Sequence, residues 1–238
     1  MLRVMSDAVS DDTRLREEMV EVQLAGRDIT DPLVLDAMRA VPRHEFVDAR
    51  FRDVAYADMP LPIGEGQTIS QPYMVAYMTQ ALALKGGERV LEIGAGCGYA
   101  AAVLGAIAGE VYTIERLHGL AEAARGTLER LGYGNVHVIE GDGTKGWPEA
   151  APYDGMSVTA AGPRVPEALK RQLKLGGRLV IPVERRGGMQ QLVRVTRIAD
   201  DRYDEEYLFW VAFVPLIGAE GWRGNERGPG HDPALYEP

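Results

Sequence analysis

From residue 88 onward, short apolar runs alternate with stretches in which apolar residues recur every three or four positions. Such runs are typical of buried parallel strands, and the recurring stretches are typical of helices that cover a sheet. The pattern predicts strands at 89–93, 110–114, 135–139, 154–159, 177–183, 190–197 and 207–214, and helices at 98–108, 117–131 and 165–173. This alternation indicates an α/β fold with a doubly wound, mostly parallel sheet and an antiparallel C-terminal strand.

The first 87 residues follow a different pattern. Helical spacing occurs over 13–24, 31–42 and 72–82, and the last two helices begin with a Pro, which suits the first helical turn. Residues 53–72 are rich in Pro and Gly and are expected to be irregular. The predicted organisation is a flexible N-terminus at 1–12, a helical and loop region at 13–87, a core at 88–217 and a flexible tail at 218–238.

Composition narrows the function. The 238 residues are 46% hydrophobic, and 26 basic against 35 acidic side chains give a net charge of −9. A net acidic chain is a poor candidate for nucleic-acid binding, which needs a basic surface. Cys97 is the single cysteine, which excludes an internal disulfide and a cysteine-rich metal site. No apolar run is long enough to span a membrane and no signal peptide is evident. We therefore expect a cytoplasmic protein without a metal site, with a monomer favoured.

The strand predicted at 89–93 ends in glycines at positions 94, 96 and 98, and a helix follows at once. Glycines at such a turn let the backbone bend sharply and let a ligand approach main-chain N–H groups. Glu115 ends the next strand, where a carboxylate can accept hydrogen bonds from ribose hydroxyls. These features predict a site for an adenosine-containing cofactor; the alternative is an α/β turn without a ligand.

The glycines can be counted in two registers. Counted from Gly96, they fit the dinucleotide pattern G-x-G-x-x-A, which would indicate a nicotinamide dehydrogenase. Counted from Gly94, they look like the first motif of methyltransferases that use S-adenosylmethionine. The strand already breaks at Gly94 and no basic residue in the loop could hold a pyrophosphate, so the second register is favoured.

Two further segments carry candidate chemistry. Asp142 and Gly143 follow the third core strand, at the sheet edge where ligands bind. Asp142 could accept a hydrogen bond from an adenine amino group and the Gly143 N–H could reach a ring nitrogen, although the pair could also be a simple turn. The segment 66–72 has two hydroxyls and no charge. Its Ser70 is either a helix cap or, beside a cofactor, a group that holds a carboxylate.

Residues 14–218 resemble the protein-L-isoaspartate O-methyltransferase family. The segments that carry this resemblance are 40–47, 61–64, 66–72, 90–99, 111–116, 141–143, 153–154, 158–161, 176–183 and 213–216. The Thr68-Ile69-Ser70 stretch is more specific than the glycine motif, which many methyltransferases share. The resemblance implies a Rossmann-like fold and an enzyme that uses S-adenosyl-L-methionine, with S-adenosyl-L-homocysteine as product. Its acceptor would be the free α-carboxylate of L-isoaspartyl residues in damaged proteins and peptides, and methylation would initiate repair through a succinimide.

The resemblance also implies roles for individual residues. Ser70 would lie between methyl donor and acceptor and act as the catalytic residue. The residues implied to contact the cofactor are Thr68, Ile69, Ser70, Gln71, Glu92, Gly94, Gly96, Gly98, Glu115, Asp142 and Gly143. Val214 and Pro215 would border the substrate backbone. Ala212 is a departure, because the family often has Arg there. This departure keeps open a dedicated peptide or another carboxylate as acceptor, and a non-catalytic adenosine-binding module remains a further alternative.

Overall fold

The computed structural model describes residues 11–223. The helices are α1 (Asp11–Glu18), which continues as a π-helix (Met19–Ala25), α2 (Pro32–Ala40), α3 (Pro72–Leu82), α4 (Tyr99–Gly105), α5 (His118–Arg130) and α6 (Glu167–Arg171). The strands are β1 (Leu61–Gly64), β2 (Gln67–Ile69), β3 (Arg89–Ile93), β4 (Glu110–Glu115), β5 (Val136–Glu140), β6 (Tyr153–Val158), β7 (Leu173–Glu184), β8 (Gln190–Ala199) and β9 (Arg202–Val211).

Seven strands form one sheet in the order β5-β4-β3-β6-β7-β8-β9. Strands β3 to β7 run parallel, and β8 runs antiparallel to both of its neighbours. The chain moves outward from β3 through β4 to β5, then returns to β6 on the other side of β3. The carboxyl ends of β3 and β6 therefore form a topological switch point, the place where open α/β sheets bind ligands. The predicted fold class is confirmed.

Both faces of the sheet are covered, as the apolar strands required. Val90 on β3 packs in a cluster with residues of α2, α3 and α4. The next residue, Leu91, points to the opposite face and packs in a second cluster that contains Leu169 of α6. This alternation along one strand buries its two faces in two separate cores, because successive strand side chains point in opposite directions.

The structure differs from the predicted elements in one loop and at several element boundaries. Residues 61–69, predicted to be irregular, form the β1–β2 hairpin, and this prediction was wrong. Its strands are four and three residues long, too short for a clear period-two pattern. Strand β7 begins four residues before the predicted start at 177. Strand β9 begins five residues before 207 and ends at Val211, three residues before the predicted end at 214. The added part of β9 is polar, so its hydrophobic pattern gave no strand signal.

Small parts of the two segments predicted to be flexible have regular structure within the described residues. Helix α1 begins at Asp11, inside the segment predicted to be flexible. Residues 218–223, the start of the predicted tail, contain hydrogen-bonded turns such as Gly218 N–H to the Trp222 carbonyl at 3.1 Å. The remainder of both predicted ends lies outside the described residues. Between residues 11 and 223, no helix has the length and apolarity that crossing a bilayer requires.

Asn135 fastens the end of α4 to the sheet. Its Nδ2 donates to the carbonyls of Gly105 and Ala108 at 2.9 and 3.1 Å. We predict that Asn135→Ala lowers the free energy of unfolding by about 1–3 kcal/mol, because two carbonyls lose their donor. Asn135→Asp should cost more than Ala, since a carboxylate would face two carbonyl oxygens at a helix C-terminus. Urea denaturation measures both, and an Asp variant as stable as the Ala variant would contradict the account.

Candidate functional site

The turn after β3 is shaped by left-handed glycines. Gly94, Gly96 and Gly98 have φ values of 95°, 53° and 90°, which side chains rarely adopt. A Cβ at Gly94 would overlap Oγ1 of Thr159, and one at Gly96 would lie 3.1 Å from Cδ1 of Ile63. The first two glycines therefore permit a close approach of neighbouring segments at the switch point. Gly98 instead faces α5, where its Cβ would meet the Leu128 side chain at 3.2 Å.

Glu115 ties this turn to the next helix. Its carboxylate accepts hydrogen bonds from Gly96 N–H at 2.9 Å and from Leu117 N–H at 3.0 Å, one on each oxygen. The residue is only 6% exposed, so both bonds are largely shielded from water. Each carboxylate oxygen has a second lone pair, and Glu115 therefore keeps acceptor capacity for a hydroxyl of a bound ligand.

A cleft of about 560 Å³, counted out to its open mouth, lies over the switch point. The predicted residues that line it are Thr68, Gly94, Gly96, Glu115, Gly143, Val214 and Pro215. A smaller cleft of about 340 Å³ adjoins it and is lined by Ile69 and Ser70. Both clefts share Thr68, Gly94 and Gly96 as walls. The structure therefore brings nine of the thirteen predicted residues to two adjoining clefts.

Gln71 does not line either cleft. Its Nε2 donates to Oδ2 of Asp58 at 3.3 Å, which turns the amide away from both. Gly98 contributes to helix packing, as described above.

Asp142 is also held away from the cleft walls. Oδ1 accepts from the Thr144 N–H and hydroxyl at 3.0 and 2.6 Å, and Oδ2 accepts from Ala219 N–H at 2.8 Å. Burial alone would raise the pKa of Asp142, but these hydrogen bonds hold it below its usual value. The next residue, Gly143, does line the larger cleft.

Ser70 is not a helix cap. Gln71 occupies the N-cap position of α3 without a side-chain hydrogen bond, and Asp58 Oδ1 accepts from Tyr73 N–H at 3.0 Å instead. Within residues 11–223 the structure shows no hydrogen bond of the Ser70 hydroxyl. The capping interpretation of Ser70 was therefore wrong, whereas the prediction that Pro72 begins the helix is confirmed. The hydroxyl remains available to a ligand in the smaller cleft.

Glu92 is completely buried on β3, one residue before the carboxyl end of that strand, and lines neither cleft. Its Oε2 accepts from the Thr113 hydroxyl at 2.5 Å, while its Oε1 has no partner among the described residues. Burial raises the pKa of Glu92 to about 8, and the Glu115 charge adds to this effect. An unpartnered carboxyl oxygen just before the glycine turn suits a positively charged ligand group. The turn, Glu115 and Glu92 thus fit a cofactor that combines a nucleoside with a cationic part.

Thr159 is a site residue that sequence reasoning missed. It follows β6 and lines both clefts. Its hydroxyl donates to the Gly94 carbonyl at 2.9 Å and lies 3.1 Å from that of Ile93. Applying the carboxyl-end rule to β6 as well as to β3 and β4 would have found it. The aliphatic walls of the larger cleft include the further missed residues Ile93, Ile114, Leu216 and Ile217.

Fold and site together define a doubly wound α/β protein with a glycine-lined cleft at its switch point. Residues 14–221 match the family model of protein-L-isoaspartate(D-aspartate) O-methyltransferase (PCMT). The chain belongs to this family.

Individual relatives agree with the family model. The chain is 61% identical to protein-L-isoaspartate O-methyltransferase 2 of Pelobacter propionicus over 87% of its own length and 92% of that protein. It is 58% identical to protein-L-isoaspartate O-methyltransferase 1 of Rhodopseudomonas palustris strain HaA2, over 96% and 93% of the two chains.

Two solved structures show the same similarity. A protein-L-isoaspartate O-methyltransferase superposes with a TM-score of 0.80 at 32% identity, over 87% of this chain and 67% of that one. A Plasmodium falciparum beta-aspartate methyltransferase (PCMT) in complex with S-adenosyl-L-homocysteine gives a TM-score of 0.74 at 26% identity, over 85% and 98%.

The buried Glu92 generates a pH prediction. Its pKa is about 8 in the folded protein and near 4.5 in the unfolded chain. Between these values the unfolded state has lost the proton and the folded state has kept it, so stability falls as pH rises. Glu92→Gln, which mimics the protonated form, should therefore gain stability over the wild type from pH 4.5 to 8. The gain should not exceed about 1.4 kcal/mol per pH unit and should level off above pH 8.

Urea denaturation between pH 5 and 9 measures this difference. The same substitution at Glu129, an exposed residue of α5, is the matched control and should show no such trend. A stability difference between wild type and Glu92→Gln that is constant across this range would contradict the prediction.

Proposed function

We propose that this protein transfers a methyl group from S-adenosyl-L-methionine to the free α-carboxylate of L-isoaspartyl residues in proteins and peptides. The observation that carries the proposal is the position of the Thr68–Ser70 segment. It lines the smaller cleft, which shares the walls Thr68, Gly94 and Gly96 with the larger, glycine-lined cleft. A group held at the glycine turn and a group held by Ser70 would therefore be direct neighbours.

The larger cleft is assigned to the cofactor. In this assignment Glu115 accepts from ribose hydroxyls and Gly143 offers its N–H to adenine. The unpartnered Oε1 of Glu92, buried behind the glycine turn, supplies the acidic group for the cationic amino-acid part. Asp142 supports the adenine end from behind this wall. When bound, S-adenosylmethionine supplies a methyl group activated by its positively charged sulfur.

The smaller cleft is assigned to the acceptor carboxylate. A carboxylate is already ionised near pH 7, so the site needs no general base. None of the described residues that line this cleft is Lys, Arg, His, Asp or Glu. The Ser70 hydroxyl can therefore orient the carboxylate without neutralising it in an ion pair. Walls such as Ile69 and Val75 exclude water that would solvate the oxyanion.

The methyl ester then leads to repair without further help from the protein. The neighbouring backbone nitrogen attacks the ester carbonyl, methanol leaves, and a succinimide ring forms. Hydrolysis of this ring can regenerate a normal aspartyl linkage.

One observation favours a second acceptor class. Ala212 follows β9 immediately and is exposed, two residues before the Val214–Pro215 wall of the larger cleft. The resemblance led us to expect an arginine there, and Ala212 offers no charged or hydrogen-bonding side chain to a peptide. The binding of a dedicated peptide, which would make further sequence-specific contacts with the protein, would depend less on that arginine than the binding of a general substrate.

The proposed setting is the cytoplasm, with a monomer as the working unit. The single cysteine, Cys97, and the net charge of −9 agree with a reducing, aqueous compartment. Fractionation of cells and light scattering of the purified protein would test the two statements separately.

The acceptor is tested with a pair of peptides that differ only in one isoaspartyl or aspartyl linkage. We predict methylation of the isoaspartyl peptide and at least about 100-fold less of its twin, because a misplacement of about 1 Å can cost that much. Radiolabelled methyl transfer measures both. Equal methylation of the pair would refute the specificity. Methylation of neither, with S-adenosyl-L-homocysteine still bound, would favour the dedicated-peptide alternative, and Ala212→Arg would then show whether that position is responsible.

Ser70→Ala is predicted to slow single-turnover methyl transfer by roughly 10- to 1000-fold, as expected for loss of one aligned donor. The affinity for S-adenosyl-L-homocysteine should change far less, and stability should be nearly unchanged because the hydroxyl caps no helix. Ser70→Thr keeps a hydroxyl and should recover part of the rate. A Ser70→Ala protein with full activity would remove Ser70 from the mechanism.

A further inference from the structure

The segment from Leu216 to Trp222, here called the strap, contributes to the wall of the larger cleft. It follows the Val214–Pro215 wall directly, and its Ile217 lines the cleft. Leu216 N–H and Trp222 Nε1–H both donate to the Ala161 carbonyl, at 2.8 and 3.0 Å. Trp222 N–H returns to the Leu216 carbonyl at 2.7 Å, which closes the strap into a compact loop.

Thr144 connects the strap to the residues after β5. It is completely buried, and its hydroxyl acts as both a hydrogen-bond donor and an acceptor. It donates to Oδ1 of Asp142 at 2.6 Å and accepts from Glu220 N–H at 3.1 Å. Asp142 Oδ2 accepts from Ala219 N–H at 2.8 Å. Two adjacent strap N–H groups are thus held by Asp142 and Thr144 together.

The contact is tight and has a second anchor. A Cβ at Gly218 would overlap Oδ1 of Asp142, so a side chain there would push the strap away. On the far side, Glu220 Oε2 accepts from Ala168 N–H in the first turn of α6 at 3.2 Å. The strap therefore bridges the residues after β5 and the start of α6.

This arrangement connects Asp142 to the Val214 wall of the larger cleft through hydrogen bonds. Ala161 accepts from the strap, and its own N–H donates to the Val214 carbonyl at 2.8 Å. A displacement of the strap would thus reach both Asp142, beside the proposed adenine position, and Val214, which lines the larger cleft and is expected to border the substrate backbone. The Thr144 hydroxyl is central to these contacts, because it forms hydrogen bonds to both Asp142 and the strap.

We propose that Thr144 is a positioning residue of this enzyme: its hydroxyl fixes Asp142 and the strap in one arrangement and so supports cofactor and acceptor binding together. The acceptor half of this inference rests on the proposed function, whereas the cofactor half requires only the cleft. The alternative is that the buried hydroxyl contributes to stability alone.

The test compares Thr144→Val, which keeps the shape and removes the hydroxyl, with Thr144→Ser, which restores it. We expect Thr144→Val to raise the Kd for S-adenosyl-L-homocysteine about 10-fold, the size of one hydrogen bond to a charged group. The KM for the isoaspartyl peptide should rise by a similar factor, while kcat at saturation changes by less than about threefold. Thr144→Ser should return both constants close to the wild-type values.

Thr79→Val is the matched control. Thr79 is also buried, and its hydroxyl donates to the Val75 carbonyl within α3 at 2.8 Å, remote from the strap. This variant should lose stability without changing Kd or KM. If Thr144→Val also loses only stability, with Kd and KM unchanged, the positioning role is overturned.

A second variant covers the case in which Thr144→Val does not fold. Trp222→Phe removes the bond to the Ala161 carbonyl and should raise KM for the peptide, whereas Trp210→Phe, at a Trp that is 56% exposed on β9, should not. An unchanged KM in Trp222→Phe would overturn the role of the strap. Calorimetry with S-adenosyl-L-homocysteine needs no acceptor, so failure of the proposed function and failure of the Thr144 inference remain distinguishable.

Discussion

Thr159 and the backbone at Gly94 meet at the switch point so closely that no side chain fits between them. The Thr159 hydroxyl bonds the Gly94 carbonyl and joins the ends of β6 and β3, the two strands at which the chain reverses its direction across the sheet. This contact requires the left-handed glycine turn. The same glycine turn orients the Gly96 N–H toward the Glu115 carboxylate. Both clefts depend on these contacts, because Thr159, Gly94 and Gly96 line each of them.

Three carboxyl groups at this sheet edge illustrate how local partners decide the chemistry of one residue type. Glu115 is satisfied by two backbone N–H groups and still has lone pairs to offer. Asp142 is held by Thr144 and the strap, which keeps its pKa low despite burial. Glu92 has one hydroxyl partner and one unpartnered oxygen, and burial raises its pKa. A bound cation would stabilise the charged form of Glu92, the carboxyl group with the fewest hydrogen-bond partners of the three.

The hydroxyl groups of the site also differ in their hydrogen-bond partners. Thr159 joins two strands, and Thr144 joins a loop to the strap, so both hydroxyls are occupied by the protein. Ser70 differs because Asp58, rather than Ser70, satisfies the first turn of α3. A hydroxyl that has been relieved of a structural role in this way is free to bind a ligand. The fold thus makes Ser70 available by placing a carboxylate from another segment at the helix start.

From residue 88 onward, the sequence by itself determined the order of strands and helices, the glycine turn and the acidic residue that ends the next strand. These features are local, because strand periodicity, helix periodicity and turn glycines can each be recognised within a short stretch of sequence. The tertiary structure alone decided that Gln71 turns to Asp58, that 61–69 forms a hairpin, and that Asp142 is fastened to the strap. Thr144 and Glu220 are 76 residues apart, and no local pattern encodes a contact across that separation. Such contacts arise only when the packed sheet brings the ends of β5 and β6 beside the segment that follows β9.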